Sequence, residues 1–93
     1  MKEAELERQL KALANRRRLA ILNLLRKRRE ANVGDIAEAI KLSFTSTSKH
    51  PLMLERAGFA EKEQKSLQMF YRITLDASNI LRHVLSLLSN SRE

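Results

Sequence analysis

Ninety-three residues with a formal net charge of +7 and no cysteine set narrow bounds on this chain. So short a chain forms one domain, residues 1–93, and buries only about 60 to 65% of the surface its unfolded form exposes. Without cysteine there is no disulfide framework, thiolate metal site or cysteine nucleophile; the charged start Lys2-Glu3-Ala4-Glu5 excludes a signal peptide, and no apolar run reaches the roughly 18 residues of a membrane span, which predicts a soluble, cytoplasmic protein.

The first predicted element covers residues 3–14, where Leu6, Leu10 and Leu13 fall on one helical stripe with Glu3, Glu7, Arg8 and Lys11 around it. Asn15 closes that helix and caps a second, from about Arg16 to Lys27, whose Leu19, Ile21, Leu22, Leu24 and Leu25 make it the central core helix. Arg26-Lys27-Arg28-Arg29 sits at its C-terminal end, where the helix dipole favours cations. Residues 1–30 hold ten Lys and Arg against four Glu, and the remainder is nearly neutral. Such a local surplus suits a polyanion, because each neutralised phosphate releases counterions; it equally suits a solvated helix face.

Asn32 and Asp35 have capping-box spacing, so a third helix starts near Val33 and buries Ile36, Ala37, Ile40 and Leu42. Lys41-Leu42-Ser43 then makes a tight turn without the customary glycine, which places strain on Lys41. Ser43 and Gly58 cap a fourth helix with a polar first half, Thr45, Ser46, Thr47, Lys49 and His50, and an apolar second half, Leu52, Met53 and Leu54. Two helices joined this tightly, the second polar at its exposed start, form a helix-turn-helix pattern. Pro51 removes the donor for the Thr47 carbonyl, and the expectation is a helix kinked near 47 to 51 or split there.

After Gly58 the period changes to two. Residues 59–63 and 67–74 are predicted strands joined by a turn at Gln64, Lys65 and Ser66, a hairpin wing with Lys62 and Lys65 on it. The last helix is predicted over 77–90 with Asp76 as its cap, and its stripe of Ile80, Leu81, Val84, Leu85, Leu87 and Leu88 is too wide for one small core. A second copy packed helix to helix covers it, which predicts a homodimer interface of Leu6, Leu10, Ile80, Leu81, Val84 and Leu88. The architecture expected is mainly α with a small β-hairpin, ααααββα, a winged helix-turn-helix.

These segments resemble the ArsR family of small bacterial and archaeal winged-helix repressors. The resemblance covers residues 8–75 and rests on Leu10-Lys11-Ala12-Leu13-Ala14-Asn15, Arg18-Leu19, Asp35-Ile36-Ala37, Ser48-Lys49-His50, Leu54-Glu55-Arg56-Ala57-Gly58-Phe59 and Phe70-Tyr71-Arg72-Ile73. It implies a homodimer built on the first and last helices, with two reading helices in successive major grooves of a two-fold symmetric operator, released by a metal ion or another signal. This chain departs from the pattern in three places. Asn32-Val33-Gly34 stands where many members carry Cys-x-Cys; Asp76 matches a second family metal site but Ser78 and Ser89 stand where its other ligands belong, leaving His83 alone; and Pro51 replaces a leucine. No metal or cofactor is therefore expected, and the effector stays unassigned.

The functional reading is a double-stranded-DNA-binding transcriptional regulator, a repressor by occlusion. Thr45, Ser46, Thr47 and Lys49 are assigned to the groove, and His50 to a backbone contact or to packing. Arg16, Arg17, Lys62 and Lys65 are assigned to phosphates, and Arg18 to packing and ion pairing. Two glycines, no cysteine and two histidines on separate helices exclude the usual catalytic constellations. The rival readings are a winged helix that binds another protein, and RNA binding, which needs exposed aromatics such as Phe44.

Overall fold

The computed structural model describes residues 1–90. Its elements are α1 (Glu3–Leu13), α2 (Arg16–Arg28), β1 (Glu30–Asn32), α3 (Val33–Ile40), α4 (Phe44–Arg56), β2 (Ala60–Lys65), β3 (Gln68–Ile73) and α5 (Asn79–Ser89). Local chemistry sets most boundaries. The Asn15 side chain accepts from the backbone N–H of Arg17 and Arg18, and that of Asn32 from Asp35, as the capping spacing predicted. Ser43 caps α4 by accepting from Ser46.

Three helices end at residues with positive φ: Arg29 (φ 72°) after α2, Lys41 after α3 and Gly58 after α4. After α4, Gly58 (φ 85°) allows Phe59 N–H to donate to the Leu54 carbonyl and Gly58 N–H to that of Glu55, a Schellman ending with Phe59 packed into the core. After α3 the same bonds run from Leu42 to Ala37 and from Lys41 to Glu38, but the left-handed residue is Lys41 (φ 59°), whose Cβ makes that conformation costly. This is the strained turn expected between the paired helices.

The core is centred on α2, which packs against α1, α3, α4, α5, β1 and β3. Ile21, Leu22 and Leu25 of α2, Ile36 of α3, Leu54 and Phe59 around the end of α4, and Leu81 of α5 are at most 2% exposed.

Four sequence expectations need correction. First, the sheet has three strands, in the order β1-β3-β2, rather than a lone hairpin; Ala31 sits opposite Tyr71, and Asn32 opposite Phe70. Second, the wing turn is Ser66-Leu67, with Ser66 at φ 58°, so Lys65 belongs to β2. Third, α5 is capped by Ser78, whose hydroxyl accepts from Leu81 N–H, and not by Asp76.

Fourth, α4 is unbroken through Pro51, which is buried on the inner face. The helix tolerates the missing N–H because Leu54, Pro51 and Thr47 face the packed interior together and tertiary contacts hold the turn closed. Pro51→Ala is expected to raise stability by about 1 kcal/mol. Relief of the helix-interior proline returns about 3 kcal/mol, and loss of two buried methylenes removes about 1.6 kcal/mol. Thermal unfolding followed by circular dichroism checks this, and a destabilised variant would show that the ring's packing outweighs the helix penalty.

Candidate nucleic-acid interface

The buried positions of α4 are Thr47, His50, Pro51 and Leu54, at the spacing i, i+3, i+4 and i+7. That stripe turns Thr45, Ser46 and Lys49 to solvent, together with Phe44, which is 62% exposed. The outward face therefore offers two hydroxyls, an ammonium and an aromatic ring at the start of a helix. Ser48 is half-buried, and its hydroxyl donates back to the Thr45 carbonyl.

Thr47, expected in the groove, is not there, and His50, expected at a backbone contact or in packing, is packed. Thr47 is fully buried and its Oγ1 has no hydrogen-bond partner among the described residues. His50 is 7% exposed and its Nδ1 lies 3.5 Å from a guanidinium nitrogen of Arg18. Residue type suggested an outward polar half, but the helical period carries these two side chains inward, and Arg18 provides the polar neighbour that makes a buried histidine tolerable.

Arg18 itself is 8% exposed. Its Nε donates to the carbonyl of Ala12 and its second terminal nitrogen to that of Lys11, so it ties off the last turn of α1 while reaching His50 and the Met53 sulfur on α4. Packing was expected of it, but the expected ion pair is not found among the described residues. Because Arg18 is a permanent donor, His50 Nδ1 is the acceptor and Nε2 carries the proton.

Burial, then the charges of Arg18, Lys49 and Arg17, hold the His50 pKa below its ordinary 6.5. The unfolded chain thus binds a proton that the folded chain refuses, so His50 leaves stability intact above the ordinary value and lowers it as pH falls from there toward the folded pKa. Melting temperature is expected to be lower at pH 5 than at pH 7.5, with the difference reduced in His50→Gln. An identical pH profile in that variant would remove His50 as the cause.

Among the assigned cations, Arg16 and Arg17 at the start of α2 and Lys49 on α4 are exposed and form no ion pair among the described residues. The wing lysines are engaged differently. Lys62 lies 3.8 Å from Glu55, while Lys65 sits 2.9 Å from Glu30 and 5.1 Å from the centre of the Phe70 ring. Exposed pairs of this kind contribute about 0 to 1 kcal/mol, so a phosphate can displace the carboxylate. The wing tip itself presents Leu67, 95% exposed, which the sequence reading did not assign.

Away from these residues, Leu10, Leu13 and Ala14 of the α1 region and Ile80, Val84, Leu87 and Leu88 of α5 line an apolar hollow of about 350 Å³ with Leu19. Leu6 and Leu10, expected on a dimer face, are 38% and 49% exposed, and Ile80, Val84 and Leu88 are half-buried. Leu81 is not part of it: fully buried, it belongs to the domain's own core. Leu87, 72% exposed, lines the hollow instead. No helix among the described residues is long and apolar enough to cross a membrane.

A tight helix pair, a polar outward face on its second helix and an adjacent hairpin define a winged helix-turn-helix of the DNA-binding class. More narrowly, the chain belongs to the arsR family of bacterial regulatory proteins, whose family model matches residues 15–62. It is 35% identical over 65 residues to the transcriptional activator HlyU of Vibrio cholerae, a match covering 70% of this chain and 59% of HlyU's length. The structure of reduced Vibrio cholerae HlyU superposes with a TM-score of 0.76 at 32% identity, covering 91% of this chain and 85% of that one. The homodimeric winged helix-turn-helix DNA-binding domain (residues 1–100) of a possible ArsR-family regulator from Mycobacterium bovis gives a TM-score of 0.75 at 32% identity, covering 92% and 76% of the respective chains. The family is one of transcriptional regulators and not of enzymes.

Proposed function

We propose that this chain is a homodimeric regulator that reads duplex DNA by sequence, lays two copies of α4 in successive major grooves and represses by occluding the operator. The observation that carries it is the division of α4 into a buried face of Thr47, His50, Pro51 and Leu54 and an exposed start of Phe44, Thr45, Ser46 and Lys49. A helix held rigidly by one face while its polar N-terminal residues stand free is the geometry that enters a major groove. Arg16, Arg17 and, through exchange of their ion pairs, Lys62 and Lys65 supply phosphate contacts that fix register. The Mycobacterium bovis domain is itself described as homodimeric, which favours the same state here. The Vibrio cholerae relative carries an activator's name, so transcription is measured directly.

Anisotropy titrations of duplex DNA from the chain's own upstream region, beside a scrambled duplex at several salt concentrations, test the reading. The expected result is preference for the native duplex and a slope of log affinity on log salt of about −0.9 per phosphate contact. Lys49→Ala should cost about 1 to 3 kcal/mol per half-site if it reads a base, whereas Thr47→Val should leave DNA affinity unchanged and stability equal or higher, because an unpaired buried hydroxyl is replaced by a methyl. Equal affinity for both duplexes would discard sequence reading, and absence of binding at low salt would favour a protein-docking winged helix. In a purified transcription reaction, occlusion predicts falling transcript with added protein.

A further inference from the structure

We propose that the groove between α1 and α4 is a binding site for a small apolar carboxylate, of the class of a medium-chain fatty acid, with Arg18 as its anchoring cation. The groove holds about 400 Å³, within the range of small-molecule sites, and is lined by Arg8, Lys11 and Ala12 of α1, by Arg18, and by Met53, Arg56 and Ala57 at the end of α4. It lies apart from the exposed start of α4 and apart from the apolar hollow of α1 and α5.

Three observations point to an anion with an apolar body. Arg18 is buried, yet no carboxylate pairs with it among the described residues; only backbone carbonyls, His50 and the Met53 sulfur do. A desolvated cation without a counter-ion is costly, and the negative end of α1 offsets only part of that cost. The Arg18 terminal nitrogen that donates to the Lys11 carbonyl makes no second hydrogen bond among the described residues, which leaves one of its two N–H groups free where Arg18 lines the groove.

The rim adds three more cations and no carboxylate. Arg8 reaches no closer than 3.5 Å to the Arg56 carbonyl, and Lys11 leans to Glu7 at 3.8 Å in a pair that is largely exposed and weak.

The floor is apolar. Ala12 and Ala57 are buried and Met53, 43% exposed, spreads a flexible thioether over them. Such a floor rewards an alkyl chain and wastes a bare phosphate, which separates this groove from a nucleic-acid track. Bound here, the ligand touches the reading helix and the helix that carries Leu6 and Leu10, so occupancy sets one against the other.

The test is a titration of the isotope-labelled full chain with sodium decanoate below its micelle concentration, beside decan-1-ol, read by amide NMR shifts without DNA, so failure of the DNA reading leaves it intact. Saturable shifts at Lys11, Met53 and Ala57, with decanoate at least tenfold tighter than the alcohol and tenfold weaker in the double variant Arg8→Gln/Arg56→Gln, are expected. Both substituted residues are exposed, so an unchanged melting curve certifies that the variant folds. Equal affinity for alcohol and acid, or shifts at Leu19, Val84 and Leu87 instead, would overturn the proposal by showing mere partition onto the apolar face. A double variant that lowers the salt slope for duplex DNA while binding decanoate as before would overturn it too, by making these cations phosphate contacts.

Discussion

Arg18→Ala is expected to remove about 3 to 5 kcal/mol of folding stability, a large share of the roughly 5 to 15 kcal/mol that holds a small domain together. The guanidinium is the hydrogen-bond donor for the carbonyls of Lys11 and Ala12, which no later turn of α1 can satisfy because the helix ends at Leu13. Each charge-assisted bond contributes about 1.5 to 3 kcal/mol, and truncation deprives both carbonyls of that donor. His50 loses its neighbour in the same stroke. For a domain of this size each kcal/mol shifts the melting temperature by about 4 to 8 °C, so a fall of at least 12 °C is expected by calorimetry. Arg18→Lys should recover less than half of it, since a single ammonium cannot span two carbonyls and an imidazole as a planar fork does. Arg18→Met isolates the cause by keeping the aliphatic stem while removing donors and charge. If Arg18→Met were as stable as the parent, the side chain would be packing alone and the link from α1 to α4 would carry no energy.

That link also marks where reading the sequence reaches its limit. Asn15, Asn32, Ser43 and Gly58 act within four residues of themselves, and each set its helix boundary where expected. Part of the inner face of α4 depended on something 32 residues away: a histidine looks like surface until an arginine from α2 is placed beside it. Period and residue type disagreed there, and the period was right. β1 escaped because Glu30-Ala31-Asn32 has one apolar residue and is too short to show alternation; its existence depends on Tyr71 and Phe70 arriving opposite. Pro51 was overweighted for the opposite reason, since a local steric rule was applied where the tertiary contacts around it keep the helix closed despite the proline's cost. On α5 the leucine that turns inward is decided by α2, so Leu81 is fully buried and Leu87 is 72% exposed, a distinction the stripe alone does not make.

Leu87→Glu is expected to convert the protein to a monomer without unfolding it, and Leu10→Glu to act in the same way more weakly. In a two-fold interface every substitution occurs twice. Burying one leucine is worth about 1.5 to 3 kcal/mol, so losing both copies removes about 3 to 6 kcal/mol before the cost of desolvating two carboxylates is added. At tenfold per 1.4 kcal/mol the dimer dissociation constant rises at least a hundredfold. The fold survives because Leu87 is 72% exposed and lines only the hollow shared with Leu10 and Val84, whereas Leu81→Glu, at a fully buried position, should unfold the chain and serves as the contrast. DNA affinity should fall along with dimerisation, because a monomer engages one half-site and forfeits the second set of contacts, while Lys49 and the rest of the α4 surface remain as they were. Sedimentation equilibrium beside duplex anisotropy separates these effects. A Leu87→Glu protein that stays dimeric would move the self-association surface away from α1 and α5; one that becomes monomeric yet binds its duplex undiminished would show that a single α4 suffices to read it.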